Sequence, residues 1–164
     1  MNHKIQILIC DDDPAFHQSI KYALKDIYQF RSAYNGDEGL ILLKNNQIDI
    51  LLLDIEMRSP DEGLLFLSKF KEMDPELLII MSSGKKDFMS VRESMRLGAV
   101  DYFPKDFHIE DLKCTLDRAL NLKKIIEKKS QLNFEALNSQ NRHILVGHSP
   151  AIQWIKKTVD RIRQ

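Results

Sequence analysis

The chain has 164 residues, 43% of them hydrophobic, with 24 Lys and Arg balanced by 24 Asp and Glu. That length supports one full core with some chain left over, and the charge balance provides no global field aimed at nucleic acid or a membrane surface. The apolar runs are far shorter than a bilayer span and the N-terminus has no apolar signal segment, so a cytoplasmic protein with no membrane partner is expected.

Lys4–Cys10 reads as a first strand, running directly into Asp11, Asp12 and Asp13. Pro14 is a first-turn residue and opens a helix to Ile27. Phe30–Tyr34 is a second strand, Asn35-Gly36 a loop, and Asp37–Asn45 a second helix. The third strand, Ile48–Leu53, ends at Asp54, and Gly63–Met73 is the third helix. Leu77–Ser82 and Val100–Phe103 are the fourth and fifth strands, separated by a helix over Asp87–Leu97, and a last helix starts at Ile109. The first, third and fourth strands are almost continuously apolar, as strands covered on both faces of a parallel sheet must be. Strand and helix alternate five times, which implies an α/β fold with a doubly wound parallel sheet. Cys10 and Cys114 have neither disulfide nor metal-ligand spacing, and each is expected as a small buried hydrophobe.

In a doubly wound sheet, ligands bind outside the carboxyl ends of the strands. Asp11, Asp12, Asp13, Asp54, Ser82 and Lys105 all fall there. Buried carboxylates that converge on one edge repel unless a cation lies between them, and an oxygen-rich set of this kind suits Mg²⁺.

Motif, order and spacing together make residues 1–120 resemble the receiver domain of two-component response regulators. The resemblance implies a flavodoxin-like sheet of strand order 2-1-3-4-5, with Asp54 as phosphoacceptor and Ser82 and Lys105 as its hydroxyl and basic partners. It further implies Ser82 and Tyr102 as the switch pair, and Mg²⁺ held by Asp11, Asp12, Asp54 and the backbone carbonyl of Glu56. A sensor histidine kinase is the implied phosphoryl donor, and a homodimer the implied assembly. Three departures stand out. Lys105 is followed by Asp106 where the family usually has a cis proline, so a trans bond or a distorted loop is expected, because a non-proline cis bond costs about 3 kcal/mol. Pro60 and Gly63 come later after Asp54 than the family pattern has them. Glu56 also brings a carboxylate side chain close to the site.

Beyond Leu120 the chain turns polar. Residues 121–143 read as a helical linker that continues the last helix and pairs through Leu122, Ile126, Leu132 and Leu137, or else as a solvated tether. Residues 144–164 resemble the opening of the central AAA+ ATPase domain of NtrC-type sigma-54-dependent activators: Val146-Gly-His-Ser-Pro-Ala-Ile-Gln153, then an apolar-periodic helix with Ile155, Val159 and Ile162. No GxxxxGK[ST] occurs, so no ATPase activity is expected of this chain, and DNA and sigma-54 RNA polymerase would be reached only through domains it lacks. Two other classes stay open. A phosphohydrolase with an Asp nucleophile usually has a second acid two residues on, where Glu56 stands; a degenerate receiver would act as an interaction module only.

Overall fold

In the computed structural model, residues 4–84, 88–106 and 108–145 are described, without the side chains of 133–145. The Val146–Gln153 phrase, the apolar-periodic helix after it and the side chain of Leu137 lie outside the described residues. The elements are β1 (Gln6–Cys10), α1 (Pro14–Leu24), β2 (Gln29–Ala33), α2 (Gly36–Asn45), β3 (Ile50–Asp54), α3 (Glu62–Met73), β4 (Leu78–Ser83), α4 (Phe88–Arg96), β5 (Asp101–Pro104) and α5 (Ile109–Leu145). All strand pairings are parallel, in the order β2-β1-β3-β4-β5. The three nearly continuous apolar runs became the interior strands, and the more polar β2 and β5 are the edges.

Alternation along each interior strand sorts the core into two layers. Leu8, Cys10, Leu51, Leu53, Ile79 and Met81 pack with Phe66, Leu67 and Phe70 of α3 and Leu43 of α2. Their neighbours Ile7, Ile9, Ile50, Leu52, Leu78 and Ile80 pack with Phe16, Ile20 and Leu24 of α1 and Leu112, Leu116 and Ala119 of α5. Every interior strand therefore buries both faces, and β3 and β4 are buried along their whole length.

Local chemistry sets where the helices begin. The Asp13 carboxylate caps α1 by accepting from the Ala15 N–H at 2.8 Å, with Pro14 in the first turn. Asn35 and Glu38 form a reciprocal cap on α2: the Glu38 N–H donates to Asn35 Oδ1 at 3.0 Å, and the Tyr34 N–H donates to Glu38 Oε2 at 2.8 Å. At the start of α3, Asp61 takes a left-handed backbone, φ 60°. Gly63 then passes so close to β3 that a Cβ there would lie 1.9 Å from the Asp54 carbonyl oxygen. Cys114 is a correction to expectation: Cys10 is buried, but Cys114 is exposed, since Leu112, Thr115 and Leu116 take the inward positions of α5.

The chain divides into two compact units, Met1–Asn121 and Leu122–Gln164. The five strands and both core layers belong to the first. The described part of the second is helical and continues α5 to Leu145, with Ile125 and Leu132 exposed. No helix among the described residues is long and apolar enough to cross a membrane.

Gly63→Ala tests the close approach of α3 to β3. The new methyl meets main chain, which cannot rotate away, so a loss of about 2–3 kcal/mol is expected. Urea unfolding would read it as a lower midpoint at unchanged slope.

Candidate functional site

The carboxyl ends of β1, β3, β4 and β5 meet at one edge of the sheet. Asp54 is the last residue of β3 and 2% exposed, and it stands beside Ser82 in the β3–β4 register. Asp11 follows β1 and is fully buried, while the adjacent Asp12 is exposed. One carboxylate oxygen from each of Asp11, Asp12 and Asp54 lies within 4.8 Å of the others. Oxygens around an octahedral Mg²⁺ at about 2.1 Å are about 3 Å apart when adjacent and about 4.2 Å when opposite. The three carboxylates are close enough together to converge on such an ion.

Lys105 follows β5 and reaches back across this edge. Its Nζ donates to Asp54 Oδ2 at 2.8 Å and lies 2.7 Å from Asp11 Oδ2. The second contact is an ion-pair separation that falls short of directed hydrogen-bond geometry. The Lys105 N–H donates to the Ser83 carbonyl at 2.9 Å, and the ammonium stands 5.0 Å from the Phe16 ring centroid. No cis peptide bond occurs among the described residues, so Lys105–Asp106 is trans. The strand-to-strand hydrogen bond and the Phe16 ring aim Lys105 without the family's cis proline. Ser82 Oγ is buried and has no hydrogen-bond partner among the described residues, so a donor O–H stands ready beside Asp54.

The electrostatics follow from burial. Asp54 is pushed up to about 6, chiefly by desolvation; Lys105 opposes this by hydrogen bonding, and the charge of Asp11 adds to it. Asp11 is also raised by desolvation, against its Lys105 contact and the Asp13 N–H. Burial alone would lower Lys105, but its two carboxylate partners outweigh that and raise it.

Asp13 stands apart as the α1 cap. Tyr102, half-buried on β5, packs against the α2–α3 core layer, opposite Met81 in the strand register. Glu56 is tied to the site by its N–H, which approaches Asp54 Oδ1 at 3.4 Å. Two features carry no motif in the sequence. The carboxylate of Glu62 is 8% exposed and takes hydrogen bonds from the Arg58 guanidinium at 2.7 and 3.1 Å and from the Arg58 N–H at 2.9 Å. These bonds, the guanidinium's first, hold Glu62 below the usual carboxylate range and close the shifted loop after Asp54. His17 lies buried under Asp11, and its only sequence signal is a place on the inward side of α1 with Phe16, Ile20 and Leu24.

The response regulator receiver domain model matches residues 7–117. The DNA-binding transcriptional regulator NtrC of Bradyrhizobium sp. is 31% identical over 161 residues, covering 96% of this chain and 32% of that protein. The crystal structure of NtrX from Brucella abortus superposes with a TM-score of 0.73 at 28% identity, covering 96% of this chain and 34% of that one. A CheY-like receiver domain protein from Methanospirillum hungatei gives a TM-score of 0.68 at 28% identity, covering 73% of this chain and 96% of that one. The chain spans between 32% and 62% of the length of the curated relatives it matches.

A buried carboxyl with a raised pKa favours the protonated native state. Its stabilising contribution is full below the ordinary value of 3.8 and is lost as pH rises through about 6. In EDTA, Asp54→Asn should therefore melt higher than the unmodified chain at pH 7.5, by at most about 3 kcal/mol. The two should converge near pH 4. Thermal melts across that range check both the sign and the window.

Proposed function

The chain belongs to the response regulator receiver domain family, and on that footing we propose that Asp54 accepts a phosphoryl group from the phosphohistidine of a sensor histidine kinase. The observation that carries this reading is Lys105 Nζ, held 2.8 Å from a buried Asp54 with an unpartnered Ser82 hydroxyl beside it. In the transfer, an Asp54 carboxylate oxygen bonds to phosphorus as the P–N bond breaks, and the electron pair of that bond returns to the imidazole nitrogen. Asp11, Asp12, Asp54 and the backbone carbonyl of Glu56 would hold Mg²⁺, which when bound offsets the negative charge that gathers between carboxylate and phosphoryl group. Lys105 moves its hydrogen bond from Asp54 to a phosphoryl oxygen, and Ser82 donates to another.

Ser82 lies next to Met81, whose partner on β5 is Tyr102. Recruitment of the Ser82 hydroxyl by the phosphoryl group biases how this edge packs with Tyr102, and the charge change selects between two pre-existing packings. Beyond phosphorylation and dephosphorylation of its own Asp54, no enzymatic role is assigned. NtrC relatives align over 95% and 96% of the chain, past the receiver, which supports reading residues 121–143 as a linker and 144–164 as the opening of a central ATPase domain. The output is then transcription activation of the sigma-54 type, with DNA and polymerase contacts made by segments outside these residues.

Two measurements test this. Incubation with acetyl phosphate and Mg²⁺ should add one hydroxylamine-labile phosphate, and Asp54→Asn should abolish it; a label that persists in the variant overturns the assignment. The partner proposed for the exposed positions Leu122, Ile125 and Leu132 is a second copy of the chain. Ending the chain after Leu120 should then lower the apparent mass in sedimentation at equal concentration and leave Asp54 phosphorylation intact. Equal masses would make the linker a tether.

A further inference from the structure

His17 is 1% exposed, and both of its ring nitrogens are engaged. Nε2 lies 2.8 Å from the carbonyl oxygen of Asp11, and Nδ1 lies 2.6 Å from Ser32 Oγ. A carbonyl only accepts, so Nε2 carries the hydrogen. In the neutral ring Nδ1 then accepts from the Ser32 hydroxyl, so the two contacts together suit one tautomer. The Tyr34 ring lies across the imidazole, with centroids 4.8 Å apart.

This small chain of donors acts on one residue. The Asp11 N–H donates to the Ala33 carbonyl on β2 at 3.1 Å, and the Asp11 carbonyl is held through His17 by Ser32 on the same strand. Asp11 Oδ1 accepts from the Asp13 N–H at 2.9 Å, and Oδ2 faces Lys105. Three of the four polar atoms of Asp11 are hydrogen-bonded and the fourth, Oδ2, is ion-paired with Lys105, so neither its backbone nor its carboxylate can turn without breaking one of these contacts.

We propose that His17, oriented by Ser32, is a positioning residue for the acidic pocket: its Nε2–H fixes the Asp11 carbonyl, and through it the aim of the Asp11 carboxylate toward a divalent cation. The proposal rests on the receiver reading of the pocket and deepens it. His17 does not contact the cation and takes no proton in the transfer. It acts as the partners of ligating groups do elsewhere, whose removal commonly costs 10- to 100-fold in metal affinity.

The test uses the whole chain, titrated calorimetrically with MgCl₂. His17→Leu keeps the bulk and removes the donor, and should weaken Mg²⁺ binding by about 10-fold. His17→Gln keeps an N–H where Nε2 stood and should stay within about twofold of the unmodified chain. Ser32→Ala frees the ring and should give a loss between the two. The nitrogen-15 shifts of the His17 ring should report the Nε2–H tautomer in the absence of any metal. Equal Mg²⁺ affinity in the unmodified chain and a folded His17→Leu overturns the proposal, as does a Gln variant as weak as the Leu variant. If His17→Leu does not fold, Ser32→Ala and His17→Gln decide: an unchanged affinity in the first, or a tenfold loss in the second, overturns it. A Nδ1–H tautomer overturns the role of His17 while leaving the pocket's function standing. Failure of the unmodified chain to bind Mg²⁺ overturns both, so the two failures are told apart.

Discussion

One ammonium group, Lys105 Nζ, stands against two buried carboxylates, and the architecture of the sheet edge is what makes that possible. Asp11 and Asp54 stand at the carboxyl ends of the adjacent strands β1 and β3 with almost no access to water. Two such charges in a region of low polarisability would each be driven to protonate. The ammonium stabilises the ionised forms, yet burial, with the charge of Asp11 added to it, keeps Asp54 up at about 6. Under the proposed function, a divalent cation held by these carboxylates would offset both effects. In the proposed transfer a phosphoryl group would bring more negative charge to this edge, and Lys105 and Ser82 are the donors placed to meet it.

The fold supplies this tension at little cost elsewhere, because the carboxylates sit on strand ends rather than on loops. Interior strands with both faces covered are apolar through their middles and turn polar only at their ends, which lie together at one edge of the sheet. Burial of the strands therefore becomes burial of the first polar residue after them. Positions fixed by a hydrogen-bonded ladder are better defined than positions on a flexible connection. This is why Asp54 and Ser82, partners in the register, are aligned without any contact of their own making.

Much of this is legible in the sequence, and the limits are physical. The apolar runs and the acidic residues that end them are short-range signals, so the strands, their interior or edge placement and the cluster of Asp11, Asp12, Asp54, Ser82 and Lys105 are readable from the chain. Groups that act through tertiary contact are not. Phe16 beneath Lys105 reads only as core, and His17 reads as one more inward position of α1. The exposure of Cys114 depends on the phase of α5 against the sheet, which the local composition does not set. Arg58 and Glu62 carry no motif; only the fold shows that Glu62 is buried and that Arg58 satisfies it from the loop.

That loop shows how the site tolerates change around it. The segment between Asp54 and Gly63 departs from the family pattern, and one non-glycine residue within it, Asp61, adopts a left-handed backbone at a cost of about 1 kcal/mol. Even so, the Gly63 N–H donates to the Ile55 carbonyl at 2.9 Å, so α3 begins in direct register with the end of β3. The irregularity is absorbed between two backbone anchors, with Arg58 tying down the carboxylate that the new path buries. Asp54 belongs to the strand on one side of the loop and Gly63 to the helix on the other. Its position is therefore set by the β1–β3–β4 ladder and not by the length or composition of the loop. The missing proline after Lys105 follows the same rule: the lysine is aimed by a hydrogen bond to β4 and by an aromatic ring on α1, both parts of the rigid frame. Sequence departures in the connections are consistent with an intact reacting set wherever the frame, rather than the connection, holds the reacting group.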